Sequence, residues 1–88
     1  MNGNHSIFSN YYRVLEIFYD HRVVVNEINY CAVTQSEIAK ILGHDRMTIS
    51  PIVKKLQEDG LIIKTPSKSK QYIISDDAIK LVKSIKKL

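Results

Sequence analysis

The 88-residue chain has few of the residues and segments that would place it outside the cell or in a membrane. It contains a single cysteine, Cys31, so no intrachain disulfide can form, as is usual in a reducing cytoplasm. No apolar run is long enough to span a bilayer. The first ten residues, MNGNHSIFSN, have neither the basic start nor the apolar stretch of a secretory leader. We therefore expect a cytoplasmic protein without a membrane anchor.

Motifs of enzymes and metal sites are also missing. No glycine-rich loop is suited to cradle a phosphate, and the chain has no H-E-x-x-H, no cysteine pair and no nucleophile elbow. Three histidines, His5, His21 and His44, are scattered, and His44 is better explained as a phosphate contact or a surface residue than as a metal ligand. We expect no enzymatic activity, no cofactor and no metal.

Charge is distributed unevenly along what we expect to be one domain, residues 1–88. Residues 1–43 carry three Lys/Arg against four Asp/Glu, a net of −1, whereas residues 44–88 carry ten against five, a net of +5. A basic half favours a polyanionic partner, because cationic side chains that neutralise phosphates release counterions. The alternative is a lysine-rich surface that only keeps the protein soluble. Charge alone does not separate these two interpretations, whereas the sequence motifs can.

Two short helices joined by a tight turn are predicted over residues 34–60. Thr34 and Glu37 have the T-x-x-E spacing of a capping box, which starts the first helix. Gly43 suits the end of that helix, and Asp45 offers a side-chain oxygen to cap the next one. A connection of about three residues is typical of the helix-turn-helix motif, whose second helix enters the DNA major groove.

The apolar spacing of these helices predicts a buried and an exposed side. Inward positions are Ile38, Ala39, Ile41 and Leu42 in the first helix and Ile49, Ile52, Val53 and Leu56 in the second. Gln35, in the first turn, can meet a phosphate beside exposed N–H groups. The exposed side of the second helix is small, hydroxylated and cationic, as major-groove entry requires. It comprises Met47, Thr48, Ser50, Pro51, Lys54 and Lys55.

Two residues of the second helix leave alternatives open. Arg46 either bonds a guanine edge with two hydrogen bonds or holds a phosphate. If Asp45 is the cap, Pro51 falls in the second turn, removes a helical hydrogen bond and should bend the helix. If Thr48 is the cap, Pro51 lies in the first turn, where proline is tolerated.

A basic hairpin is predicted over residues 61–74, directly after the second helix. Two β-rich runs, LIIKT and KQYIIS, flank a tip of proline, serine and lysine, and the lack of Asn-Gly predicts a turn of more than two residues. Such a hairpin can bind the DNA backbone or enter the minor groove. The alternative is an exposed loop whose lysines only increase solubility. The candidate contacts are Lys64, Ser67, Lys68, Ser69 and Lys70.

Helices are also expected at both ends of the chain. The first begins at Ser9, with Tyr11, Val14, Leu15 and Phe18 at helical spacing. The last covers residues 75–88, with an apolar face of Ala78, Ile79, Leu81, Val82, Ile85 and Leu88. One or both of these helices are expected to pair subunits.

The segment after the first helix is the least regular. The first helix should end between His21 and Val25, and a short strand with a buried Cys31 should follow over residues 30–33.

This order of elements resembles the winged helix-turn-helix DNA-binding proteins, and within them the MarR-like repressors. The resemblance covers about residues 34–75 and rests on S-E-I-A, L-G, T-I-S-P and K-K-L-x-x-x-G-L-I. It implies an α+β, mainly α fold, a winged helix-turn-helix with a two-stranded β wing and N- and C-terminal packing helices. It also implies a homodimeric repressor on a pseudo-palindromic double-stranded DNA site, with the wings on flanking DNA.

Two other functions fit the same pattern. The compact build is similar to TubR-type partition proteins, whose dimers coat repeated centromere sites and engage a filament-forming NTPase. MarR-like repressors usually have longer terminal helices around a ligand crevice, so a small-molecule sensor is not expected here. A winged helix used only for protein interaction would have a neutral or apolar second helix, whereas Met47, Ser50 and Lys54 are placed for DNA.

Overall fold

The structure, a computed structural model, describes residues 9–65 and 71–87, which form four helices and four strands. In chain order they are α1 (Asn10–Asp20), β1 (Val23–Val25), β2 (Ile28–Cys31), α2 (Gln35–Leu42), α3 (Arg46–Glu58), β3 (Ile62–Lys64), β4 (Tyr72–Ile74) and α4 (Asp76–Lys86). The strands form one antiparallel sheet in the order β1-β2-β4-β3. The α+β, mainly α winged-helix fold is confirmed, and the two wing strands, β3 and β4, are half of a larger sheet.

Each helix begins at a side chain that accepts a hydrogen bond from the backbone of its first turn. Ser9, Asp45 and Ser75 cap α1, α3 and α4 in this way. At α2 the capping box is complete: Glu37 N–H donates to Thr34 Oγ1 over 3.1 Å, and Thr34 N–H donates to Glu37 Oε1 over 2.8 Å. These starts depend on local spacing, which is why the sequence predicts the starts of α1, α2 and α4 and offers Asp45 as one of two possible caps for α3.

Pro51 lies inside α3, because Asp45 and not Thr48 caps this helix. Thr48 N–H donates to Asp45 Oδ1 over 3.0 Å, and α3 continues through the proline to Glu58. A proline has no N–H for the carbonyl four residues earlier, so the Met47 carbonyl lacks its helical donor. Met47 and Pro51 are both exposed, so this part of α3 faces solvent.

The core lies between the helices and one face of the sheet. Its fully buried side chains include Val14, Leu15 and Phe18 of α1, Ile38 of α2, Ile49, Val53 and Leu56 of α3, Ile62 and Ile74 of the sheet, and Val82 of α4. Cys31 is 1% exposed, and burial raises the pKa of its thiol, which confirms the prediction of a small buried hydrophobe. The Phe18 and Tyr72 rings meet edge-on at 5.3 Å and tie α1 to β4.

Residues 22–33 form a hairpin where the sequence predicts a single strand. The expected strand over residues 30–33 lies at Ile28–Cys31, and β1 (Val23–Val25) precedes it. Asn26 and Glu27 join the strands with φ of 50° and 67°, the left-handed region that a type I′ hairpin turn needs at both positions. Glutamate is not a residue that signals such a turn, so the sequence gives little indication of β1.

The first helix ends at Asp20, with His21 as its C-cap, without a glycine or proline. The backbone N–H groups of His21 and Arg22 donate to the Ile17 and Tyr19 carbonyls over 3.1 and 3.2 Å, and the two side chains add to these contacts. His21 Nδ1 lies 2.9 Å from the Ile17 carbonyl oxygen, and Arg22 Nη1 donates to the Tyr19 carbonyl over 2.9 Å. Arg22 also lies over the Tyr19 ring, 3.8 Å from its centroid. The Ile17 and Tyr19 carbonyls therefore each have a backbone and a side-chain partner, and the chain turns directly into β1.

The buried side of α2 is narrower than predicted. Ile38 and Ala39 are buried and Leu42 is half-buried, but Ile41 is 54% exposed, so its inward assignment was wrong. At about 100° per residue, Leu42 and Ala39 lie to one side of Ile38, whereas Ile41 lies about 60° to the other. The side of α2 with Ile38, Ala39 and Leu42 is therefore the side that packs into the core.

Candidate nucleic-acid interface

One side of α3 is exposed along its N-terminal half. Ile49, Val53 and Leu56 are fully buried and Ile52 is half-buried, so they fix the helix against α1, α2 and β3. The predicted contact residues lie on the solvent side: Arg46, Met47, Thr48, Ser50, Pro51, Lys54 and Lys55 are all exposed. Met47 is 84% exposed, an unusual setting for a large apolar side chain and one that suits contact with a thymine methyl group.

Three predicted site residues from three different elements meet at one open groove. Gln35 in the first turn of α2, Arg46 at the start of α3 and Lys64 at the end of β3 line a space of about 340 Å³. Val33, Thr34, Ser36 and Tyr72 complete its walls. We call this space, lined by these seven residues, the α2–α3–β3 groove.

The chemistry of the α2–α3–β3 groove favours an anion. The capping box occupies the N–H groups of Thr34 and Glu37, whereas Gln35 and Ser36, between them, have N–H groups without an intrahelical acceptor. Gln35, Ser36 and Arg46 all line the groove, and Gln35 and Ser36 stand at the end of α2 that carries partial positive charge. Arg46 is therefore better placed to bind a DNA phosphate than to bond the edge of a guanine base.

Ser36 is a groove residue that the sequence predictions missed. It is exposed in the first turn of α2, beside Gln35. Gln35 is predicted as a contact because it is a polar side chain next to exposed N–H groups, and Ser36 has the same properties. Ser36 therefore joins the candidate contacts.

Two of the predicted contacts are engaged within the chain. The Thr48 hydroxyl donates to Asp45 Oδ1 over 3.0 Å, which leaves Thr48 only acceptor capacity for a partner. Lys55 Nζ lies 3.4 Å from Asp59 Oδ1, and the Tyr11 hydroxyl donates to Asp59 Oδ2 over 2.5 Å. Partial burial and then the Asp59 carboxylate raise the pKa of Tyr11 to about 12, while the Tyr11 hydrogen bond lowers the pKa of Asp59.

Lys54 and Lys55 should therefore differ in their effect on DNA affinity. Within residues 9–65 and 71–87 Lys54 has no ion-pair partner, whereas Lys55 is turned to Asp59. We expect Lys54→Ala to weaken binding to a duplex about tenfold, the cost of one charge-assisted contact. Lys55→Ala should change the affinity for the duplex less than about threefold, because the ammonium group is already paired with the Asp59 carboxylate, which offsets its charge toward DNA. Fluorescence anisotropy on one labelled duplex measures both, and a larger effect of Lys55→Ala would contradict the assignment.

Part of the predicted site lies outside the described residues. The predicted contacts concerned are Ser67, Lys68, Ser69 and Lys70, and their roles remain predictions; before and after them in the chain, Lys64 of β3 pairs with Tyr72 of β4. Among the residues that are described, no three His, Cys, Asp or Glu side chains are grouped so that they could hold a metal ion. The described helices are also too short or too polar to cross a membrane.

A family model described as MarR family matches residues 9–70. No curated protein matches the chain. Among solved structures, the reduced Fe(II) CO-sensing protein from R. rubrum is 25% identical, with a TM-score of 0.69 over 81% of this chain and 34% of that one. The family match includes α1, the first hairpin, both helices of the central motif and the predicted wing tip.

Two further structures have the same fold at lower identity. A transcriptional regulator of the CRP/FNR family from Thermus thermophilus is 14% identical, with a TM-score of 0.69 over 90% of this chain and 43% of that one. Reduced CprK without ligand is 20% identical, with a TM-score of 0.59 over 84% of this chain and 38% of that one. The present chain thus corresponds to between a third and a half of these proteins.

Proposed function

Since this chain belongs to the MarR family, we propose that it is a DNA-binding transcriptional regulator, and specifically a homodimeric repressor that recognises one double-stranded sequence. The observation that carries the proposal is the α2–α3–β3 groove, where Gln35, Arg46 and Lys64 meet beside the exposed side of α3. Helix N-terminal N–H groups and cationic side chains are the usual donors to phosphate oxygens.

The proposal divides the contacts by chemistry. The α2–α3–β3 groove holds backbone phosphate, which sets the position of the domain on the duplex. The exposed side of α3 then lies in the major groove, where Met47, Ser50, Pro51 and Lys54 meet base edges. Lys68 and Lys70, at the hairpin tip, hold the flanking backbone.

Selection of bound sequences from a random duplex pool tests this division. We expect the wild type to enrich a site with two similar half-sites, and Ser50→Ala or Met47→Ala to change the enriched sequence. Lys68→Ala should instead weaken binding to specific and random duplexes alike. Equal loss on specific and random DNA for all three variants would overturn the assignment of base contacts to α3. Repression is then checked by placing the selected site in a reporter promoter.

The other expectations follow this proposal. We propose that the chain has no catalytic activity and no cofactor, and that it acts in the cytoplasm, where it would meet its DNA. The partition alternative requires a surface for a filament-forming NTPase, and nothing in the described residues favours one, so it is not part of the proposal.

A further inference from the structure

Asp45 and Thr48 form a hydrogen-bonded pair of exposed side chains at the start of α3. The Thr48 N–H and the Thr48 hydroxyl both donate to Asp45 Oδ1, each over 3.0 Å. Within residues 9–65 and 71–87, Asp45 Oδ2 accepts no hydrogen bond and Asp45 forms no ion pair. One oxygen of the carboxylate therefore caps the helix, and the other is open to a partner. We call these two side chains the Asp45–Thr48 pair.

The Asp45–Thr48 pair presents hydrogen-bond acceptors and no side-chain donor. An aspartate carboxylate carries no proton at neutral pH, so the hydroxyl of Thr48 is the donor in the contact between the two side chains. The single hydrogen of that hydroxyl is then committed. What remains for a partner is Asp45 Oδ2 and the lone pairs of Thr48 Oγ1. The chain thus fixes the hydrogen-bonding polarity of this surface before any partner binds.

This polarity restricts which part of a DNA duplex the Asp45–Thr48 pair can contact. Phosphate oxygens only accept hydrogen bonds, and their charge repels the carboxylate. In the major groove the donors are the N4 amino group of cytosine and the N6 amino group of adenine, whereas guanine and thymine present acceptors and no donor. A favourable contact between this pair and the major groove therefore requires cytosine or adenine.

The Asp45–Thr48 pair stands beside the residues proposed to meet base edges. Around α3, Thr48 lies about 60° from Pro51 and about 100° from Met47. Arg46, which lines the α2–α3–β3 groove, lies about 100° from Met47 in the opposite direction. The groove and the pair thus flank the exposed side of α3 on opposite sides. Because the N-terminal residues of a recognition helix are those that reach base edges, the pair is placed to contact a base.

The aspartate cap of α3 differs from the caps of the other three helices. Hydroxyl groups cap those helices, from Ser9, Thr34 and Ser75. An aspartate makes the same cap and gains from the helix dipole, but it also adds negative charge on the side proposed to face DNA. That charge weakens binding to every sequence unless a DNA donor meets the second oxygen. Selectivity for a base amino group is thus a property that a hydroxyl cap would not supply.

We propose that the Asp45–Thr48 pair determines specificity at one position of each half-site, where it selects cytosine or adenine and rejects guanine and thymine. Asp45 Oδ2 accepts a hydrogen bond from the base amino group, and Thr48 Oγ1 is a second acceptor beside it. Rejection has the same origin, because guanine O6 or thymine O4 would place acceptor against acceptor next to a negative charge. This inference rests on the proposed function and names the base chemistry that α3 recognises.

Selection from a random duplex pool by the wild type and Asp45→Asn tests the pair. The amide oxygen of the variant keeps the cap, since only an oxygen accepts the Thr48 N–H, so the amide nitrogen, a donor, replaces Oδ2. At one position the wild type should favour cytosine or adenine over guanine and thymine about tenfold. Asp45→Asn should reduce this ratio to less than about threefold, because its donor can meet guanine or thymine, and should leave the other positions unchanged.

Two further variants separate base recognition from charge and from capping. Asp59→Asn is the matched control, because it removes the same charge from the exposed C-cap of α3. Each asparagine variant should raise affinity for random duplexes by less than about threefold, but only Asp45→Asn should relax the sequence. Asp45→Ser keeps a hydroxyl cap and lacks the second oxygen, so it should relax the same position. Circular dichroism checks that all variants are folded.

Enrichment of the wild-type sequence by Asp45→Asn and Asp45→Ser, with undiminished discrimination, would overturn the assignment of this position to the pair. It would also be overturned if the relaxed position holds guanine or thymine in the wild-type site. If Asp59→Asn relaxed the same position, net charge would be the cause. A wild type that enriches no sequence would refute the proposed function and this inference with it. A wild type that enriches a site which both Asp45 variants leave unchanged would refute this inference alone.

Discussion

Replacing Phe18 by alanine is expected to lower the free energy of unfolding by about 3–5 kcal/mol. Phe18 is fully buried, and its ring meets the Tyr72 ring edge-on at 5.3 Å, so the change removes the contact between α1 and β4 and leaves a cavity. The total stability of a domain is about 5–15 kcal/mol, so this single change removes a large part of it. Urea denaturation followed by circular dichroism measures the difference.

Phe18→Leu is the control for this prediction, since it keeps an apolar side chain in the same place. We expect it to cost about 1–2 kcal/mol, because part of the volume is retained and the neighbours can adjust. If Phe18→Ala were no more destabilised than Phe18→Leu, the packing of α1 on the sheet would not be the centre of the core.

The double variant Arg46→Ala/Lys64→Ala is expected to lose more than about a hundredfold in affinity for every duplex tested, since each lost charged hydrogen bond costs about 1.5–3 kcal/mol. Both side chains line the α2–α3–β3 groove and are exposed, so the fold should be unaffected. The enriched sequence should not change, because phosphate contacts carry no sequence information. Fluorescence anisotropy on specific and random duplexes measures the loss.

Lys80→Ala/Lys83→Ala is the matched control, because it removes the same charge from the exposed side of α4. It should reduce affinity only through the general field of the protein, by less than about tenfold. Equal losses in the two double variants would show that net charge, and not the groove, determines binding.

The helices could be predicted because their signals are local. Ser9, Asp45, Ser75 and the pair Thr34 with Glu37 each stand at the start of an apolar-periodic segment, and the cap geometry depends on residues within three positions. The exposed side of α3 followed from the same periodicity. Gly43 ends α2 at φ 73°, as expected of a glycine after the last periodic residue.

What the sequence did not predict depends on contacts between distant segments. β1 is defined by pairing with β2 through a turn at Asn26 and Glu27, and its valines are exposed although their type predicts burial. The exposure of Ile41 depends on which part of α2 meets α3. The groove is a similar case: Gln35, Arg46 and Lys64 are individually plausible DNA contacts, but only the packing of three elements brings them to one space.

The salt dependence of duplex binding by the wild type and by Arg46→Ala/Lys64→Ala tests the central claim most directly. We expect the wild-type affinity to fall by more than about tenfold between low and physiological salt, with a linear plot of log affinity against log salt. The double variant should show a slope shallower by about two, one for each lost phosphate contact. The absence of duplex binding by the wild type at low salt, or binding that does not change with salt, would contradict the account.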